Sequence, residues 1–210
     1  MIETERIGYP LILASKSPRR KEILSSLGLS FQVADSGIAD EQSYIDPENL
    51  EHSLCQLASA KANSVAHMNP RALVLGADTI VVINNRILGK PSDEIEGFKM
   101  LQALSANHHE VITAVSVVCR GEHFELTKAT KTVVYFRDLS DQEIKAYLKT
   151  GEYKDKAGAY AIQGKAMAFV DRIEGCYYNV VGLPVTATLH LIKQFIVRKE
   201  SVDVRQKRIR

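Results

Sequence analysis

Apolar residues in this chain come in short runs whose spacing changes from one run to the next. Leu11-Ile-Leu-Ala14 reads as a buried strand. Ser15-Lys-Ser17 turns it into a helix, with Ser17 at the N-cap and Pro18 at the first helical position. Ile23, Leu24 and Leu27 form that helix's apolar stripe, and Gly28 closes it. Residues 30–34 alternate like a short strand. Residues 35–49 are acidic and aperiodic, a loop that carries Glu41. A helix from about Pro47 to His67 buries Leu50, Leu54, Leu57, Ala58 and Val65, with Lys61 at the stripe's edge, placed to snorkel to water. Residues 72–83 are the most strand-like stretch. Their uniform apolarity predicts a central strand covered on both faces, interrupted by Asp78 directly after Gly76-Ala77.

Asn84-Asn85-Arg86 predicts a hairpin turn, returning through Ile87-Leu88 to Gly89-Lys90-Pro91. Ser92 is placed to cap a helix reaching about Ser105, with Ile95, Phe98, Leu101 and Leu104 facing inward. His108-His109 reads as a solvated loop pair before strands over 110–119 and 124–136, joined by a turn at 120–122. Ser140 to Glu143 is a capping box for a helix that ends at Gly151. Residues 151–164 form a polar loop rich in glycine and alanine, carrying Glu152, Asp155 and Lys156. A strand over 168–173 and a segment over 178–184 precede a last helix from about Pro184 to Val197.

The 210 residues suffice for one large domain or two small lobes sharing a core. With 45% apolar and 25% charged residues, the composition is that of a soluble globular protein. No apolar run reaches the roughly 20 residues of a membrane span, and the acidic, polar N-terminus does not read as a secretory signal. Cys55, Cys119 and Cys176 are odd in number and widely spaced, which argues against a disulfide framework or zinc site and fits a reducing cytoplasm. The net charge of +2 conceals a basic end: residues 198–210 carry six basic and two acidic side chains, expected to be a solvated, disordered tail after a domain spanning 1–197. Nucleic-acid binding is not expected, since aromatic and basic residues are not interleaved. Walker, dinucleotide, GxSxG and HExxH patterns are absent.

Two features demand a chemical explanation. Arg19 and Arg20 occupy the first turn of a helix, where the macrodipole disfavours each cation by about 0.3–1 kcal/mol unless an anion offsets it. Backbone N–H groups, the Ser15 and Ser17 hydroxyls and two guanidinium groups there would suit a phosphate. Asp78, in an apolar strand, must face a cleft, a metal or a cation. Arg19, Arg20, Lys61, Lys90 and Lys156 could neutralise a polyanion, while Glu41, Asp78, Glu152 and Asp155 could hold a hard divalent cation. Together these outline metal-assisted phosphoanhydride hydrolysis. A sensor of a phosphorylated small molecule would use many of the same groups without the chemistry.

The ordered motifs Leu13 to Arg20, Glu41, Ala60-Lys-Ala62, Gly76-Ala-Asp-Thr79, Gly89-Lys-Pro91, Val111-Ile-Thr-Ala-Val115, Asp155-Lys-Ala-Gly158, Ile162-Gln-Gly164 and Val181-Gly-Leu-Pro184 resemble those of the Maf proteins. These septum formation inhibitor homologues are nucleoside triphosphate pyrophosphatases. The resemblance covers roughly residues 10–197. It implies an α/β, Maf/ITPase-like fold: a long twisted mixed sheet flanked by helices, in two lobes with a central cleft. It also implies cleavage between the α and β phosphates, with Asp78 as proton acceptor. Glu41 and Asp78 would bind a divalent cation (Mg²⁺ or Mn²⁺), and Ser15, Ser17, Arg19, Arg20, Lys61 and Lys90 would bind substrate. Arg19, Thr79 and Gln163 are similar to the subgroup acting on dTTP and UTP, with modified pyrimidine nucleotides as further substrates; the sister subgroup prefers 7-methyl-GTP. Family members are often dimers, which leaves a homodimer open, and the family's older name leaves open a nucleotide-binding regulator of cell division.

Overall fold

The computed structural model describes residues 7–207. In chain order the elements are β1 (Leu11–Ala14), α1 (Pro18–Ser26), β2 (Gln32–Ala34), α2 (Leu50–Met68), β3 (Leu73–Ile83), β4 (Arg86–Leu88), α3 (Glu94–Leu104), β5 (His108–Cys119), β6 (Phe124–Phe136), α4 (Asp141–Leu148), β7 (Val170–Glu174), α5 (Tyr177–Val181) and α6 (Val185–Lys207). Among the described residues the strands form one mixed sheet in the order β2-β1-β3-β5-β6-β7, with β4 paired to β3. The β1–β2 and β1–β3 pairs are parallel and the others antiparallel. An α/β fold with a mixed sheet flanked by helices is what the motifs implied.

The alternation of β3 divides the core. Leu73, Leu75, Ala77, Val81 and Ile83 pack with residues of α1, α3, α4, α5 and α6. Val74, Ile80 and Val82 face the other way, onto Leu54, Ala58, Ala62 and Val65 of α2. The strand is therefore covered on both faces, which explains its uninterrupted apolar run. Gly76 is required by this packing. A Cβ there would lie 2.7 Å from the Ala62 nitrogen and closer still to the Ala58 carbonyl, so only glycine lets α2 press against the strand backbone.

One edge of β3 is open in its middle. β1 pairs with residues 73–75 and β4 with 81–83, whereas β5 pairs with 74–82 without a break on the other side. Residues 76–80 thus border a notch, located just beyond the carboxyl end of β1, where ligands bind in open α/β sheets.

Several sequence-based expectations need correction. His108 and His109 begin β5, and His109 is buried rather than solvated, because the strand starts two residues early and alternation turns it inward. Ile95 is exposed, and Asp93, not Ser92, accepts the capping N–H from Glu96. The expected strand at 168–173 begins at Val170, after a 3₁₀ turn over Lys165–Phe169. Residues 198–207 are not a loose tail, since α6 continues through Val197 to Lys207. Lys199 donates to the Tyr9 hydroxyl at 2.9 Å and lies over its ring, which anchors this part of the helix to the body. Residues 1–6 and 208–210, including the final basic cluster, lie outside the described residues.

Candidate active site

The short strand β1 delivers Ser15 and Ser17 to the notch, and α1 starts there with Pro18 at its first turn. The Ser17 side chain makes no capping bond; its backbone N–H donates to Ser15 Oγ at 3.3 Å. Arg19 and Arg20 then diverge. Arg20 is buried, and its guanidinium donates to the carbonyls of Gly182 (2.8 Å) and Ala77 (2.9 Å), to Ser15 Oγ (3.1 Å) and to Thr79 Oγ1 (3.0 Å). Burial pushes its pKa down, opposed by Asp78 and, more weakly, Glu41. Four of five N–H groups are spent on protein atoms, so Arg20 has little left to grip a phosphate.

Arg19 is half-buried and uses Nε on the Val181 carbonyl at 3.2 Å; among the described residues its two Nη groups take no partner. Burial lowers its pKa, countered by Glu22. Lys156 stands close by. Its ammonium pKa is lowered first by burial, then by Arg19 and, more weakly, by Lys90, while Asp155 and Glu152 oppose the shift, so both other cations lie within its electrostatic reach. The exposed Lys90 reaches it because the Gly158 N–H donates to the Gly89 carbonyl at 3.0 Å, tying the 151–164 loop to the end of β4.

Lys61 corrects its sequence-based placement. It lies inside the α2 contact and is 5% exposed, instead of at a solvated margin. The close approach at Gly76 brings it to β3, where its Nζ lies 2.6 Å from Asp78 Oδ1 and 2.6 Å from Glu41 Oε1. Glu41 arrives from the acidic loop, just ahead of a 3₁₀ turn over Gln42–Tyr44. The two carboxylates thus converge on one cationic atom, which offsets their mutual repulsion; Lys61 and Asp78 are shielded from water, while Glu41 remains partly exposed. Glu152 does not join them; its carboxylate accepts the Lys165 N–H at 2.9 Å. Among the described residues no three His, Cys, Asp or Glu side chains come together as a metal site.

On the opposite face of β3, Thr79 extends a buried polar chain that the sequence did not announce. Its Oγ1 lies 2.9 Å from Thr113 Oγ1 on β5, and Thr113 donates to the Asn179 backbone carbonyl at 3.0 Å. The Asn179 amide in turn donates to the Val111 carbonyl and Thr132 Oγ1, both at 2.9 Å. The available signal was the pairing of Thr79 with Thr113 across adjacent strands, inside a motif otherwise read only as strand. Gln163 is exposed and lines a groove of about 510 Å³ with Ile162, Arg172 and Tyr177. Helix α5 links that groove to the notch, because Tyr177 lines the groove while Asn179 and Val181 hold Thr113 and Arg19.

A family model described as Maf-like protein matches residues 10–195. A relative from Geobacillus sp. (strain WCH70) is 47% identical over 184 residues, covering 88% of this chain and 97% of its own length. One from Thermococcus kodakarensis is 49% identical over 176 residues, 83% and 91% of the two chains. Another, from Symbiobacterium thermophilum, is 47% identical over 186 residues, 88% and 93%. All three carry the name dTTP/UTP pyrophosphatase. This chain belongs to the Maf-like protein family.

Proposed function

We propose that this chain is a nucleoside triphosphate pyrophosphatase that hydrolyses dTTP and UTP to the monophosphate and pyrophosphate. The observation that carries the reading is the convergence of Glu41, Lys61 and Asp78 beside a notch edged by Arg19, Lys90 and Lys156. That set offers carboxylates to a cation and an attacking water, and ammonium and guanidinium groups to phosphate oxygens. A nucleic-acid role draws no support from it, and no described helix is long and apolar enough to cross a membrane. A reducing cytoplasm suits the three free thiols.

The residues fit a divalent cation. Glu41 and Asp78 each place an oxygen 2.6 Å from one shared positive atom, and Mg²⁺ is commonly held by one or two carboxylates together with substrate phosphates and water. Glu41 and Asp78 would hold it; when bound, such an ion neutralises charge on the triphosphate. Asp78 accepts the proton of the water that attacks the α phosphorus. The α–β bridging oxygen then leaves with its electron pair on pyrophosphate, whose developing charge meets Lys61 and the Arg19, Lys90 and Lys156 cluster. Ser15 and Arg20 position rather than bind: they fix the start of α1 and the Thr79 hydroxyl. Ser17 offers its hydroxyl at the turn. Thr79 and Gln163 contact the base, and Arg19, with two Nη groups unspent among the described residues, serves both the base and the pyrophosphate.

The test is pyrophosphate release from dTTP or UTP with Mg²⁺ or Mn²⁺, by wild type and Asp78→Asn. The variant is expected to lose at least about 100-fold in kcat, the lower range for general base catalysis, while still binding nucleotide. Undiminished turnover would remove Asp78 from the mechanism. Release of single orthophosphate would reject the α–β bond choice. A regulator that acts through binding alone predicts that Asp78→Asn leaves a division phenotype unchanged.

A further inference from the structure

Thr113 sits on β5 directly opposite Thr79 on β3 and is completely buried. Its oxygen contacts two others: Thr79 Oγ1 at 2.9 Å and the Asn179 carbonyl at 3.0 Å. Thr79 Oγ1 also receives an N–H from Arg20 at 3.0 Å. A carbonyl can only accept and a guanidinium only donate, while each hydroxyl has a single proton. One arrangement alone supplies a proton to every contact. Arg20 donates to Thr79, Thr79 donates to Thr113, and Thr113 donates to Asn179.

Both ends of this relay are fixed. At one end the Arg20 guanidinium is held by Gly182, Ala77 and Ser15 as well as Thr79. At the other, the acceptor is the Asn179 backbone carbonyl, which also takes the Gly182 N–H at 3.0 Å and is fixed in the last turn of α5, while the Asn179 side-chain amide is tied to Val111 and Thr132. The Thr79 proton is therefore spent inside the protein, and Arg20 occupies one of its lone pairs. Half-buried at the notch, Thr79 has only a lone pair left for a ligand.

We propose that Thr113 is a positioning residue for base selection: by taking the Thr79 proton it makes Thr79 a pure acceptor. The inference rests on the reading that this chain hydrolyses pyrimidine nucleoside triphosphates with Thr79 against the base. An acceptor there suits the imide N3–H of uracil and thymine. Against cytosine, whose N3 carries a lone pair and no hydrogen, it leaves two acceptors facing each other. A threonine free to rotate could accept from one base and donate to the other, and would discriminate poorly. Selection against cytosine thus comes from a neighbour that never touches the nucleotide.

The experiment compares kcat/KM for UTP and CTP, read as pyrophosphate release, in wild type, Thr113→Val and Thr113→Ser. Valine keeps the shape and removes the acceptor, so the Thr79 hydroxyl is released to donate. The UTP-to-CTP ratio is expected to fall about tenfold or more in Thr113→Val, the order expected from one mispaired hydrogen bond, with kcat on UTP largely kept. Serine restores the relay and is expected to keep the wild-type ratio. Should valine prevent folding, Thr113→Ala repeats the measurement in a smaller side chain. An unchanged ratio in Thr113→Val or Thr113→Ala, whatever the absolute rates, overturns the inference and leaves the hydrolase reading intact. So does a wild type that treats UTP and CTP alike. No pyrophosphate from UTP in wild type overturns the hydrolase reading itself, and this inference with it.

Discussion

His109 makes the pH dependence of stability calculable. The imidazole is 1% exposed, packed edge-on against Phe136 and Tyr160, with Nε2 2.7 Å from the Tyr160 hydroxyl and Nδ1 without a partner among the described residues. Burial, with a smaller contribution from His108, pushes its pKa from 6.5 down to about 4. A base whose pKa is lowered on folding is neutral in the native state while the unfolded chain takes up a proton. Nothing is lost above pH 6.5; stability then declines as pH falls, and the loss levels off below 4. With these two pKa values the linkage relation gives a loss of about 2 kcal/mol at pH 5 and about 3 kcal/mol at pH 4. The perturbation is His109→Gln, which removes the titration while keeping an amide for Tyr160. Urea unfolding of both proteins at pH 7.5, 5 and 4 supplies the assay. The variant is expected to be less stable at pH 7.5 and to gain on wild type by those amounts as pH falls. Parallel stability curves for the two proteins would refute the reasoning, since every other titrating group is common to both.

Other consequences are open to direct measurement. Gly76→Ala must push α2 off β3, because the new Cβ meets backbone; a loss of about 1–3 kcal/mol in thermal unfolding is expected, together with reduced pyrophosphate release as Lys61 and Asp78 separate. Gly89→Ala is its control, having nothing within 4 Å of the added carbon and an ordinary backbone, and a similar loss there would discredit the explanation. Arg20→Met removes the N–H donors that Ser15, Ala77, Gly182 and Thr79 share and is expected to cost about 2–4 kcal/mol in urea unfolding; a change under about 0.5 kcal/mol would mean water replaces the guanidinium without penalty.

Much of this is legible in the sequence alone. Strand β3, the helix start at Pro18, the capping box at Ser140 and the oddity of Asp78 all follow from local periodicity and local chemistry. What stayed hidden depends on partners distant in the chain. Arg20 looked like a phosphate ligand because its internal acceptor at Gly182 lies 162 residues away. Lys61 looked solvated because burial of a stripe-edge residue depends on how closely the helix meets the sheet, and that is set by the missing side chain of Gly76. His109 gives no sign of burial in the sequence, because a polar residue at the start of a strand carries no periodic signal until the alternation behind it is known. By charge alone the stretch after Val197 reads as a tail, whereas α6 continues there and Lys199 reaches Tyr9, 190 residues away in the chain.

The open edge of β3 has a consequence for what mutation can do to this protein. Asp78 and Thr79 are sequence neighbours, and strand alternation sends them to opposite sides of the sheet. A slip of one residue would exchange them, pointing the threonine at Lys61 and the carboxylate at Thr113. On the notch side β1 and β4 guard against this only at residues 73–75 and 81–83; past Asp78 and Thr79 themselves the guard is the continuous ladder to β5 over residues 74–82. Insertions and deletions that surface loops absorb readily would, in β3 or β5, interchange the carboxylate and the hydroxyl, and with them the proton transfer and base choice proposed for each. The two tasks cannot drift apart gradually, because a single sheet register holds both.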